Sequence, residues 1–134
     1  DSLQEISCRG KQVLLVEDNE LNLEIAVELL KYAGLNITTA KNGLEGLDKF
    51  KAAPPGTYAL ILMDIQMPVM NGLEAAKAIR ALPVKDAQTV PIVAMTANAF
   101  PEDIAATLQA GMNEHLSKPI DLEQFHSILQ KWCQ

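Results

Sequence analysis

The sequence predicts an α/β protein in which helices cover both faces of a parallel sheet. Five short apolar segments alternate strictly with five segments of helical periodicity. Two apolar segments, Val13–Val16 and Ala59–Met63, lack the in–out alternation of a half-exposed strand, as expected for strands covered on both faces. With right-handed crossovers, the pattern indicates a doubly wound sandwich of five βα units.

The strands and helices follow from where apolar and periodic segments begin and end. The predicted strands are Gln12–Val16, Leu35–Ala40, Tyr58–Met63, Pro91–Thr96 and Glu114–Ser117. The predicted helices are Leu21–Tyr32, Gly43–Lys51, Gly72–Leu82, Pro101–Ala110 and Leu122–Trp132.

The first predicted helix has apolar residues at every third or fourth position. These are Leu21, Ile25, Leu29 and Tyr32, which share one face. Gly34 follows the last of them and is a natural residue just beyond a helix end. This periodicity and the glycine predict a helix over Leu21–Tyr32.

The second predicted helix turns Leu44, Leu47 and Phe50 inward and ends before Pro54 and Pro55. Its three apolar positions have helical spacing. We therefore expect all three side chains in the core.

Start and stop signals delimit the last three helices. The third follows Asn71 and stops before Pro83, and the fourth carries Pro101 in its first turn, followed by two acidic residues. The last follows Asp121, with Gln124 three residues on, an arrangement typical of a capping box.

Length and charge indicate one domain that does not bind nucleic acid. The chain has 134 residues and a net charge of −6, whereas phosphate backbones are bound by clustered Lys and Arg. Residues 11–134 form the predicted domain, and residues 1–10 are polar, aperiodic and predicted to be a linker or the remnant of a longer chain.

Cysteine usage and hydropathy favour a cytoplasmic location. Cys8 and Cys133 lie near opposite ends of the chain without metal-like spacing, and we expect free thiols rather than a disulfide. No apolar run approaches the ~20 residues needed to span a membrane, and no signal peptide opens the chain. We expect no membrane contact by this domain.

The residues at the carboxyl ends of the strands carry the candidate chemistry, since ligands of doubly wound folds bind there. Glu17 and Asp18 follow the first strand and Asp64 the third, while Thr96 ends the fourth and Lys118 follows the fifth. Each has an ordinary alternative, such as a turn cap, a β-branched strand residue or a solvated charge. Their joint placement at four strand ends favours a functional site.

Three converging carboxylates with one ammonium group indicate a cation. Two like charges about 4 Å apart repel by roughly 1 kcal/mol in water and about 4 kcal/mol near a protein surface. Oxygen ligands on rigid strand ends suit Mg²⁺ better than zinc, with Mn²⁺ as an alternative ion. Because Mg²⁺ readily shares phosphate oxygens, we expect metal-assisted phosphate chemistry.

Four segments resemble the signature segments of response regulator receiver domains. They are VLLVEDNELN, LILMDIQMPVMNG, PIVAMTANAF and HLSKPID. Their residues are most similar to those of receivers carried by hybrid sensor histidine kinases. The resemblance runs from about Lys11 to the end of the chain. It implies a flavodoxin-like fold with the strand order 2-1-3-4-5.

The resemblance also implies a role for each strand-end residue. Asp64 would be the phosphoacceptor, and Glu17, Asp18, Asp64 and the backbone carbonyl of Gln66 would hold Mg²⁺. Thr96 would bond a phosphoryl oxygen and switch rotamer, and Lys118 would pair with the phosphoryl charge. Pro119 would follow a cis peptide bond.

One position departs from the family's pattern. Receivers commonly carry Tyr or Phe three residues before the lysine, as part of the switch, and this chain has His115 there. Two interpretations stay open, a partly exposed histidine on an edge strand and a polar switch residue that senses the loop at Thr96.

Three function classes follow from these residues. The first is a phosphorelay receiver that takes a phosphoryl group from a phosphohistidine and switches the Thr96 loop and the face formed by the fourth helix, fifth strand and fifth helix. The second is a Mg²⁺-dependent phosphohydrolase with an aspartyl-phosphate, disfavoured because Gln66 stands where haloacid-dehalogenase-like phosphatases usually have a second acid. The third is a degenerate receiver that only binds, disfavoured because every acceptor, metal and lysine position is filled.

The resemblance implies phosphotransfer partners rather than an enzymatic substrate. A histidine kinase core, a histidine phosphotransfer domain or both would be the partners, and the domain would be a monomer or weak dimer. It would dephosphorylate itself slowly at most, while the parent chain would be a candidate hybrid kinase.

Overall fold

The structure, a computed structural model, describes residues 10–97, 100–118 and 120–132. Its strands are β1 (Gln12–Val16), β2 (Asn36–Ala40), β3 (Tyr58–Asp64), β4 (Ile92–Thr96) and β5 (Glu114–Ser117). Its helices are α1 (Glu20–Tyr32), α2 (Gly43–Ala52), α3 (Gly72–Arg80), α4 (Lys85–Thr89), α5 (Pro101–Gln109) and α6 (Leu122–Trp132). The predicted α/β fold class is confirmed.

All five strands form one parallel sheet in the order β2-β1-β3-β4-β5, as the family resemblance implied. The register brings the carboxyl ends of the strands together, with Val16 beside Met63 and Thr96 beside Ser117. Residues that follow β1, β3, β4 and β5 therefore meet at one edge of the sheet.

Two apolar clusters sandwich the sheet. Alternate residues of β1 point to opposite sides, with Val13 and Leu15 in one cluster and Leu14 and Val16 in the other. Helices α1 and α6 cover the first cluster, and helices α2, α3 and α4 contribute to the second. The double covering explains why the central strands are apolar without alternation.

Three asparagine side chains cap helices. Asn19, Asn42 and Asn71 each accept a hydrogen bond from the backbone amide three residues on, at 3.0, 2.8 and 2.9 Å respectively. Glu74 also accepts from the amide of Asn71 and completes a capping box. These caps fix where α1, α2 and α3 begin.

Of the four apolar residues that share one face of α1 by spacing, Leu29 is partly buried against the core and the other three are exposed. Leu21, Ile25 and Tyr32 are 65%, 39% and 46% exposed, while Ala26 and Leu30 are buried in the core. The helix carries two overlapping apolar stripes, and the one that contains Ala26 and Leu30 belongs to the core. In α2, Leu44 is likewise exposed rather than inward, whereas Phe50 is buried as predicted.

The short helix α4 is absent from the sequence prediction. It spans five residues, and its N-cap residue Val84 makes no side-chain capping bond. Neither a periodic stripe nor a cap residue marks it in the sequence. Arg80 holds it in place by donating from Nη1 to the carbonyl of Ala87 at 3.0 Å.

Within the described ranges, no helix combines the length and apolar character that crossing a membrane requires.

Candidate phosphoryl and metal site

The five predicted site residues lie together at the carboxyl edge of the sheet. Asp64 and Thr96 are the last residues of β3 and β4, Glu17 and Asp18 follow β1, and Lys118 follows β5. The backbone fixes these positions, because the amide of Glu17 donates to Ala40 and the amide of Lys118 to Thr96.

Lys118 bridges two buried carboxylates. Its Nζ lies 3.0 Å from Oε1 of Glu17 and 2.9 Å from Oδ1 of Asp64. Glu17 is 1% exposed and Asp64 is 4% exposed, whereas the side chain of Asp18 is exposed to solvent. The three acids and one lysine leave two negative charges without a counter-charge.

Asp64 and Lys118 shift each other's pKa. Burial raises the pKa of Asp64, and the hydrogen bond and charge of Glu17 raise it further, against the opposing effect of Lys118. Burial alone would lower the pKa of Lys118, but its bonds to Asp64 and Glu17 raise it overall. Lys118 is therefore a firmly protonated cation, while ionised Asp64 carries an electrostatic cost.

The geometry fits a hard divalent cation. Glu17, Asp18 and Asp64 each offer a carboxylate oxygen, and these oxygens lie within 4.8 Å of one another. Donors that are all oxygen, with one acid open to solvent, suit Mg²⁺, which retains several waters when bound. The structure thus brings together the three carboxylates that the resemblance implied as metal ligands, and their role as ligands stays a prediction.

A cavity of about 130 Å³ opens beside Asp64. Thr96, Gln66 and Lys118 line it, with Asp103 from the first turn of α5. Sequence reasoning gave Asp103 only a helix-start role, since nothing in its spacing connects it to Asp64. Packing of α5 against the sheet is what brings it to the site.

The loop after Asp64 is held by close backbone packing. The amide of Gly72 donates to the carbonyl of Ile65 at 2.8 Å, and the amide of Gly43 donates to that of Met70 at 2.9 Å. A Cβ on Gly72 would lie 2.2 Å from the carbonyl oxygen of Asp64. The glycine therefore fixes the strand end that carries Asp64.

Val69, in the same loop, adopts a φ of 69°, a rare conformation for a β-branched residue, and is 77% exposed.

Further predictions for individual residues also stay predictions. Gln66 lies two residues beyond Asp64 and lines the cavity, but its carbonyl as a metal ligand is untested. His115 is half-buried on β5 beside Ala94 and borders an open cleft next to α6. Pro119, with its expected cis peptide, lies outside the described residues, as do Cys8 and Cys133.

Comparison with protein families matches residues 13–130 to the response regulator receiver domain. The chain is 38% identical over 121 residues to the peroxide stress-activated histidine kinase mak1 of Schizosaccharomyces pombe, covering 90% of this chain and 7% of that protein. It is 37% identical over 128 residues to the sensor protein GacS of Pseudomonas syringae, covering 95% of this chain and 14% of that protein. The chain thus spans only a small part of these relatives.

Two solved structures share the fold. The receiver domain of the Pseudomonas aeruginosa sensor histidine kinase PA1611, with magnesium coordinated in its active site cleft, is 37% identical with a TM-score of 0.83, covering 92% of this chain and 98% of that one. The receiver domain of Ssk1 from Saccharomyces cerevisiae was crystallised with the histidine phosphotransfer protein Ypd1. That structure gives 33% identity and a TM-score of 0.81, covering 93% of this chain and 90% of the matched one.

Proposed function

Because this chain belongs to the response regulator receiver domains, we propose that it accepts a phosphoryl group on Asp64 from a phosphohistidine of a two-component phosphorelay. One observation carries the proposal: Lys118 joins buried Glu17 and Asp64 at an edge where three carboxylate oxygens converge. A nucleophile, a metal-binding set and a fixed cation are the parts that phosphoryl transfer needs.

The transfer forms one bond and breaks another. A carboxylate oxygen of Asp64 attacks phosphorus, the bond from phosphorus to the donor's imidazole nitrogen breaks, and the ring, which carries a proton on its other nitrogen, takes the electron pair and leaves as neutral imidazole. Lys118 neutralises phosphoryl oxygen charge, and the hydroxyl of Thr96 takes up a phosphoryl oxygen. Mg²⁺, when bound by Glu17, Asp18, Asp64 and the carbonyl of Gln66, supplies further charge neutralisation.

The switch would follow from the new charge at Asp64. Thr96 turns toward the phosphoryl group, and the population shifts toward a state in which α5, β5 and α6 present a different face. These are the fourth helix, fifth strand and fifth helix of the sequence prediction, renumbered because α4 intervenes. His115 lies on this face and is a candidate reporter of the change.

The partners would be phosphohistidine proteins. A histidine kinase core or a histidine phosphotransfer domain is supported by the relatives, which are named histidine kinases, and by the Ssk1 complex with Ypd1. We propose residues 11–134 as the receiver domain, residues 1–10 as its linker and a hybrid kinase as the parent chain. We also propose a cytoplasmic location, where an ATP-dependent kinase can feed the relay.

Intact-mass measurement tests the phosphoacceptor. The protein is incubated with Mg²⁺ and phosphoramidate, whose phosphorus–nitrogen bond resembles that of phosphohistidine. We expect a gain of one phosphoryl group that is absent in Asp64→Asn and absent without a divalent metal.

Asp48→Asn is the matched control, because Asp48 is an exposed aspartate on α2, outside the strand-end site. It should gain the phosphoryl group as the unaltered protein does. No gain in the unaltered protein, or a full gain in Asp64→Asn, would overturn the assignment.

A further inference from the structure

The cavity beside Asp64 is bordered by a second carboxylate that phosphoryl transfer does not use. Asp103 reaches it from the first turn of α5, whereas Glu17 and Asp18 are not among the described residues that line it. The volume of about 130 Å³ exceeds the ~30 Å³ that a water occupies in the liquid, so solvent fits in the cavity that Asp103 and Asp64 both line.

We propose that Asp103 is a catalytic residue for loss of the phosphoryl group, the base that orients and deprotonates the water that hydrolyses phosphorylated Asp64. This inference rests on the proposed function and identifies the residue that sets how long Asp64 stays phosphorylated.

The other polar side chains around the cavity do not suit this role. Lys118 is a protonated cation held by Glu17 and Asp64. Gln66 has an amide that can orient a water but cannot take its proton, and the hydroxyl of Thr96 is a poor base. Asp103 is a carboxylate, and no side-chain hydrogen bond or ion pair engages it within the parts of the chain that the structure describes.

The walls of the cavity also restrict the position of this water. Ile65, Leu73, Met95 and Ala106 form the apolar part of the cavity wall and limit where water can sit. The backbone holds Asp103 in the helix, because its amide donates to the carbonyl of Phe100 at 2.9 Å. Asp103 is half-buried, whereas its neighbour Glu102 is exposed.

The hydrolytic step balances. The water oxygen attacks phosphorus while one of its protons passes to the carboxylate of Asp103. The bond from phosphorus to the Asp64 oxygen breaks, and Asp64 leaves as a carboxylate. Inorganic phosphate departs, and Asp103 returns its proton to solvent.

The test compares the decay of phosphorylated protein in Asp103→Asn and Glu102→Gln. Both variants remove one negative charge from the first turn of α5, but only Asp103 borders the cavity. Each protein is phosphorylated with phosphoramidate and Mg²⁺, the donor is removed, and the phosphorylated fraction is followed by intact mass. General base catalysis typically contributes ~10²–10⁴-fold, so we expect at least about tenfold slower decay in Asp103→Asn.

Glu102→Gln should decay at the unaltered rate, and Asp103→Glu, which keeps the carboxylate, should decay faster than Asp103→Asn. Titration with Mg²⁺, followed by NMR chemical shifts, should give the same affinity in all variants, which shows that the metal site is intact. Unchanged or faster decay in Asp103→Asn, or equal slowing in Glu102→Gln, would overturn the inference. Failure of the unaltered protein to take up phosphoryl would instead overturn the proposed function.

Discussion

Asp64, the proposed phosphoacceptor, is held at a cost to the stability of the folded state. Its carboxyl is buried beside Glu17, and Lys118 partly offsets the repulsion. Burial and Glu17 raise the pKa of Asp64 above the ordinary value of 3.8. Because the pKa of Asp64 is raised in the folded state, protonation of this carboxyl stabilises the fold fully at pH values below the unfolded-state pKa. This contribution is lost as the pH rises through the folded-state pKa. At neutral pH the ionised carboxylate therefore reduces stability.

Replacing that carboxylate should stabilise the metal-free domain. We expect Asp64→Asn to raise the thermal unfolding midpoint at pH 7 by a few degrees, which corresponds to about 1 kcal/mol. The gain should shrink as the pH falls toward the ordinary carboxyl pKa, because Asp64 is then protonated in the unaltered protein. Scanning calorimetry in chelator at several pH values measures this, with Asp48→Asn as the control. A lower midpoint for Asp64→Asn at pH 7 would contradict the electrostatic cost.

Mg²⁺ should relieve the same cost. A ligand that binds only the folded state at about 100 times its Kd adds about 2.7 kcal/mol of stability. We expect saturating Mg²⁺ to raise the midpoint of the unaltered protein and to raise that of Asp64→Asn much less. Equal shifts in both proteins would place the metal elsewhere.

Gly72 matters through the space that it leaves empty. A Cβ there would lie 2.2 Å from the Asp64 carbonyl oxygen and 2.9 Å from Cα of Ile65, both backbone atoms that cannot rotate away. We expect Gly72→Ala to cost about 1–3 kcal/mol by overpacking and to slow phosphoryl uptake, because the strand end must move.

Gly56→Ala provides the comparison for Gly72→Ala. Gly56 has a φ of +82° and open space around it, so alanine there costs only backbone strain of about 1–2 kcal/mol. Urea unfolding gives the stabilities, and intact mass with phosphoramidate gives the uptake. Normal uptake in Gly72→Ala would show that the strand end tolerates the shift.

At the scale of elements, sequence patterns predict the existence of strands and helices better than the faces they bury. Five strands and five helices lie where apolar runs, glycines and prolines put them. Apolar spacing along α1 does not show which side is buried, because two apolar stripes overlap along it and contact with the sheet selects the one with Ala26 and Leu30. The helix α4 is not predicted because five residues are too few to show a helical period. Asp103 is not predicted as a site residue because tertiary packing alone brings it near Asp64.

The two stripes of α1 give a direct comparison. Leu30 is 0% exposed and Leu21 is 65% exposed on the same helix. We expect Leu30→Ala to cost about 2–5 kcal/mol of unfolding free energy, and Leu21→Ala to stay within about 0.5 kcal/mol of the unaltered protein. Urea titration followed by circular dichroism measures both. A large loss for Leu21→Ala would contradict this assignment, because it would show that the side chain of Leu21 is packed.

At the scale of the whole molecule, one sheet joins two apolar clusters. Alternate residues of β3 belong to different clusters, with Leu60 and Leu62 on one side and Ile61 and Met63 on the other. If the strands separated on one side, the apolar cluster on the other side would also be exposed, since the same strands contribute side chains to both clusters. The domain should therefore unfold as one cooperative unit, with the strand ends that build the site kept in register until it does.

Paired substitutions on opposite faces test this cooperativity. Leu30 packs in the cluster under α1 and Ile79 of α3 in the other, both 0% exposed. We expect Ile79→Val to cost about 0.5–1.5 kcal/mol, and the double variant with Leu30→Ala to cost the sum of the two within about 0.5 kcal/mol, because the sheet separates the sites. Urea unfolding should show one transition with the same slope, whether followed by far-ultraviolet circular dichroism or by Trp132 fluorescence. Two transitions that separate between the probes would mean that the faces unfold independently.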